Sequence, residues 1–132
     1  MTVYLMITGV IFCIIGLSSL LDPVAALSTT LGIQLQTVDA FSQLRGTAGG
    51  VTLAAGAFLV CSPMRPQLRQ TALWLLIIVL GGLECGRLLS LCLDGLPGKR
   101  ILFSASAEVF GLLQAIYWLR RGEAPGSAIG SS

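Results

Sequence analysis

The sequence has no histidine and few charges: eight Lys and Arg and six Asp and Glu, 11% of 132 residues. Without histidine there is no His-ligated haem, little zinc chemistry and no His-based catalytic triad. A soluble domain carries about 25% charged residues, so one this apolar would not stay dispersed in water. The net charge of +2 forms no basic stripe, which argues against a nucleic-acid partner. The four cysteines, Cys13, Cys61, Cys85 and Cys92, form no CxxC pair and have no metal-ligand spacing. They read as small apolar side chains. Neither a metal nor a cofactor is expected.

What the chain has instead is four long apolar runs: Thr2 to Leu21, Ala40 to Cys61, Gln70 to Leu93 and Ile101 to Leu119. Each is close to the roughly 20 residues needed to cross a bilayer. The first lacks a basic flank, and "DPVAALS" is a poor cleavage site, so it reads as a retained helix rather than a signal peptide. Asp22 followed by Pro23 looks like a helix cap and first turn, predicting a short interfacial helix near Pro23 to Leu31. The expected fold is all-α: a membrane-embedded four-helix bundle over residues 1–121, then a mobile polar tail over 122–132. Trp74, Tyr117, Trp118 and Tyr4 lie near span ends, as aromatic belt residues do.

Lys and Arg in the connections set the orientation. Arg65, Arg69, Arg120 and Arg121 share the side of both termini, against Lys99 and Arg100 opposite. The bias predicts a bacterial inner membrane protein with both termini cytoplasmic.

Charges inside the spans are the conspicuous exception. Arg45 lies about 7.5 Å from the outer end of its span, Arg87 about 9 Å, Glu108 about 10 Å and Glu84 about 13 Å. Glu84, Arg87 and Asp94 share one helical face, with Ser90 beside them. Arg45, Gly49, Thr52 and Gly56 form a stripe on the second span, and Ser104 and Glu108 are four apart on the fourth. An ionised side chain facing lipid at mid-bilayer costs about 3 kcal/mol by insertion scales. The charges are therefore expected to converge inward, with Arg45–Glu108, Arg87–Glu84 and Arg87–Asp94 as candidate pairs. They either serve a functional polar site or lock helix register.

Glycine supplies a second pattern. Gly46 and Gly50 have GxxxG spacing, as do Gly82 and Gly86, with Gly49 beside the first pair. Small residues let backbones approach closely in lipid. The spacing predicts packing of helix two on helix three, or else a homo-oligomer or subunit-docking face.

"LRGTAGG" at 44–50, "GRLLSLCLDGLP" at 86–97 and Glu108 resemble a family of small bacterial four-helix membrane proteins, catalogued as domain of unknown function 4345. The resemblance covers about residues 3–120. It carries Arg45, Gly46, Gly49, Gly50, Gly86, Arg87, Ser90, Asp94, Gly95 and Glu108 as motif positions. The family often has an acid two residues before the first arginine and an aromatic before the glycine pair; this chain has Gln43 and Ala48 there. The resemblance implies no established reaction.

Three functions fit the sequence. One is a site that binds or acts on a small amphiphile or lipid from the outer leaflet. Two arginines would suit an anionic head group there, and Glu84 or Glu108 would exchange a proton. Another is an accessory subunit docked on a larger membrane complex. The third is half of a proton-coupled transporter that works as a homodimer.

Overall fold

The computed structural model describes residues 1–28 and 37–122. Among them there is no strand, and four helices are long and apolar enough to cross a membrane. They are α1 (Thr2–Leu21), α2 (Val38–Met64), α3 (Pro66–Asp94) and α4 (Lys99–Gly122). The bounds follow local chemistry. Thr37 accepts a hydrogen bond from the Ala40 N–H at 3.2 Å and starts α2. Pro66 starts α3, where its missing N–H removes no helical bond. Gly95, with φ at +93°, ends α3 in a conformation that other residues rarely adopt.

Asp22 caps as expected, its Oδ1 accepting from the Ala25 N–H at 2.9 Å. The chain then winds into a π-helical turn over Val24–Ser28. The rest of the anticipated interfacial helix, and the polar tail from 123 onward, lie outside the described residues.

The helices form two antiparallel hairpins. Gly9 of α1 lies against Val60 and Gly56 of α2, Gly16 against Leu53 and Gly49, and Gly49 against Leu20. In the second hairpin, Leu80 of α3 meets Gly111 of α4. A single core joins the hairpins: Leu5, Leu59, Ala72, Leu73, Leu76, Leu80, Ala115 and Leu119. All of it lies in the half of the bundle that holds the chain termini. The Tyr4 hydroxyl donates to the Gly111 carbonyl at 2.7 Å, so this tyrosine bonds into the bundle instead of resting only at the interface. In the other half the hairpins separate, and every residue from 91 to 100 is exposed. Only 11% of the α3 membrane window and 6% of that of α4 are buried, so within the chain these two helices are covered chiefly by each other.

Of the glycines expected to pack helices, Gly49 lies in a close contact, against Leu20 of helix one, and the other four do not. A Cβ at Gly56 would stand 2.6 Å from the Cys13 nitrogen, and one at Gly9 2.8 Å from the Val60 nitrogen. At Gly46, Gly82 and Gly86 it would meet nothing within 4 Å, and at Gly50 only the Arg45 carbonyl of its own chain turn at 3.6 Å. Helix two therefore packs on helix one, not on helix three. The seam uses seven-residue spacing on both sides, Gly9/Gly16 against Gly49/Gly56, which returns each glycine to the same helical face after two turns. Cys13 lies in this seam, whereas Cys61, Cys85 and Cys92 are exposed on helix surfaces.

Candidate functional site

The polar site forms where the short turn between α3 and α4 fixes their register. Counting from that turn, Arg87 and Glu108 reach similar heights, and the facing helices bring them together. Arg87 Nη2 donates to Glu108 Oε1 at 2.7 Å, forming an ion pair. The two side chains are 26% and 19% exposed. Arg87 Nη1 also donates to the Ile101 carbonyl at 3.3 Å, and the Ser104 hydroxyl donates to the same Glu108 oxygen at 2.7 Å. A guanidinium suits this role because its fixed fork reaches a carboxylate and a main-chain carbonyl together.

Glu84 stands one turn deeper on α3, beside Arg87 and Glu108. Two carboxylate oxygens, Glu84 Oε1 and Glu108 Oε2, are out of contact with solvent and accept from no N–H or hydroxyl among the described residues, and the two carboxyl groups lie within hydrogen-bonding reach of each other. Buried polar atoms are rarely left so, and each calls for a donor. Glu84 and Arg87 also line a groove of about 200 Å³ between α3 and α4. Its other lining includes Ser90, Leu88, Leu91, Ile101 and Ala105.

Three expected features fall elsewhere. Asp94 is exposed and accepts from the Ser90 hydroxyl at 2.8 Å instead of pairing with Arg87. Glu84 is a neighbour of Arg87, but Glu108 holds the ion pair. Arg45 is exposed and makes no ion pair among the described residues, so Arg45–Glu108 does not form. The reason lies in α2. Residues Arg45–Val51 are π-helical, and this wider winding rotates Arg45 off the Gly49/Gly56 stripe that faces α1. Three of those seven residues are glycines, which bend the backbone most readily. The separation of the hairpins at this level adds to the distance. Among the described residues no group of three His, Cys, Asp or Glu is placed to hold a metal ion.

A family model described as domain of unknown function (DUF4345) matches residues 1–119. The chain belongs to this family. The match to DUF4345 spans all four helices, and both the glycine seam and the α3–α4 polar cluster fall within it. No curated protein and no solved structure matches the chain. The Ser104 hydroxyl was visible in the sequence only as a neighbour of Glu108; its part in holding the ion pair of this chain required the folded helix. Ile101, whose carbonyl bonds Arg87, carried no sequence signal because its side chain is not what acts.

Proposed function

We propose that this DUF4345 protein binds a small amphiphile in the groove between α3 and α4, with the polar head at Glu84 and Arg87 and the apolar part along Leu88, Leu91 and Ile101. The groove carries this reading: it has a polar wall and an apolar wall, and it lies in the loosely packed half of the bundle, where a lipid-like molecule can enter sideways. The head group is one that donates hydrogen bonds, such as a hydroxyl or an amine. Arg87 already serves Glu108 and Ile101, whereas Glu84 Oε1 and Glu108 Oε2 receive no N–H or hydroxyl from the described residues. Arg45 stands apart, so the case for an anionic head group, which needed two arginines, loses its second member.

Gentle extraction followed by mass spectrometry tests the reading. A hydroxyl- or amine-bearing amphiphile is expected to accompany the wild-type chain and to fall about tenfold in Glu84→Leu, the discrimination expected when a hydrogen-bonded polar contact is lost. An unchanged lipid complement in Glu84→Leu would rule the site out.

A second reading, an accessory subunit, draws support from the open faces at Gly82 and Gly86, where a partner helix has room to approach. A stoichiometric protein partner, with no bound amphiphile, would favour it.

The arginine distribution supports an inner-membrane protein with both termini cytoplasmic. Reporter fusions at Gly130 and Gly32 are expected to report opposite sides of the membrane. The same side for both would defeat this topology.

A further inference from the structure

At the end of the bundle that holds the chain termini, a second cavity of about 180 Å³ opens between the starts of α1 and α3 and the end of α4. Met1, Arg69, Gln70 and Trp118 line it, over the buried side chains of Leu73 and Leu119. Arg69 does not swing freely. Its Nε and Nη2 both donate to the Pro63 carbonyl, at 3.2 and 2.9 Å, which holds the guanidinium in place and leaves Nη1 for another acceptor. Two helices begin at this cavity, and neither Met1 nor Arg65 caps its helix through a side chain. The first N–H groups of α1 and the positive ends of both helix dipoles face the same region, while α3 begins with Pro66, which has no N–H to offer.

The charge balance here is one-sided. Arg65, Arg69, Arg120 and Arg121 cluster at this end, with Arg121 4.9 Å above the Tyr117 ring. Every Asp and Glu among the described residues is elsewhere: Asp22, Asp39 and Asp94 at the opposite end, Glu84 and Glu108 in the opposite half. The Met1 amino group is held below its ordinary pKa, chiefly by desolvation and then by repulsion from Arg69. The cavity thus offers positive charge and free donors at interfacial depth, with an apolar floor beneath and an indole beside it, where tryptophan favours the boundary between head groups and hydrocarbon.

We propose that this cavity seats the phosphate of an anionic phospholipid from the leaflet at the termini, held by Arg69 and flanked by Trp118. The site is separate from the α3–α4 groove and does not depend on its function.

The test uses the full chain in bilayer nanodiscs containing equal phosphatidylglycerol and phosphatidylcholine of matched acyl length. Lipid retained after transfer to mild detergent is counted by native mass spectrometry. Gln70→Glu places a negative charge in the cavity and leaves the Arg69–Pro63 bonds intact. Lys99→Gln changes net charge by the same amount at an exposed position at the opposite end of the bundle. Wild type and Lys99→Gln are expected to retain phosphatidylglycerol in preference to phosphatidylcholine. In Gln70→Glu that preference falls about fivefold, the effect of one charge at a membrane surface. An equal loss in both variants would mean diffuse attraction and overturn the site. So would an undiminished preference in Gln70→Glu, or no preference in the wild type. Melting temperature, read in lipid-free detergent, separates loss of the site from loss of the fold: a Gln70→Glu protein that melts like wild type and keeps its preference refutes the proposal. Should Gln70→Glu fail to fold, Gln70→Trp, whose much larger side chain takes up cavity space without adding charge, is expected to lower retention, and full retention there overturns the site equally.

Discussion

Gly56→Leu is expected to destabilise the protein more than any other single glycine substitution outside α1. A Cβ alone would stand 2.6 Å from the Cys13 nitrogen and 2.8 Å from the Gly9 carbonyl oxygen, both main-chain atoms that cannot rotate away. The helices would have to separate along the seam. Overpacking costs about 1–3 kcal/mol in an adaptable core, and a backbone-to-backbone clash belongs at or above the top of that range. Gly16→Leu should behave alike, because its Cβ would collide with the Leu53 main chain. Gly82→Leu and Gly86→Leu provide the contrast: each meets open space, so each should stay within about 0.5 kcal/mol of wild type. Thermal melting in detergent compares the four. Equal melting temperatures would show that the α1–α2 seam contributes no stability.

The second large effect belongs to the ion pair. Glu108→Ala removes the ion-pair partner of Arg87 in a poorly hydrated site, leaving it the Ile101 carbonyl and the neighbouring Glu84 carboxylate, and strands the Ser104 hydroxyl. Breaking a fully buried pair costs about 3–5 kcal/mol; with 26% and 19% exposure, about 2–3 kcal/mol is expected here. Arg87→Leu combined with Glu108→Leu should cost less than the two single losses added, because the members of the pair leave together and only Glu84 stays behind. The double-mutant cycle is the decisive measurement. Additive single losses would mean that the pair is not coupled. Arg87→Lys makes a finer demand. It keeps the charge but cannot span Glu108 and Ile101 with a planar fork. It should fold nearly as well as wild type yet retain less amphiphile in the groove. Full retention would leave the pair in place as a clamp on helix register alone.

The spans were legible because hydropathy over 20 residues is a strong, additive signal, and α1 runs over Thr2–Leu21 as the sequence indicates. The Arg87–Glu108 level was legible too, since "DGLPGKR" is too short to let α3 and α4 slip past each other. Partner choice was not. A small-residue face announces close approach without naming the helix that approaches. Gly9 and Gly16 lie in a segment with no charge and no GxxxG spacing to single them out, whereas the GxxxG pairs 46/50 and 82/86 match a familiar spacing but face open space or their own turn. Arg45 failed for a different reason. Counting at 3.6 residues per turn assumes an unbroken α-helix, and the π-helical stretch over Arg45–Val51 breaks that count at the residue in question.

The glycine seam also bears on biogenesis. Chains emerge N-terminus first, and the segments that interlock most closely here are the two made earliest. Once α2 enters the bilayer, Gly9, Cys13 and Gly16 already have their complement in Gly49, Leu53 and Gly56. The first hairpin can close while α3 is still being synthesised. Leu5 and Leu59 then stand ready as a template on which Leu73, Leu76 and Ala115 of the later hairpin dock. A damaged seam would therefore be felt as a failure of insertion and assembly in the cell, even where detergent rescues the finished fold.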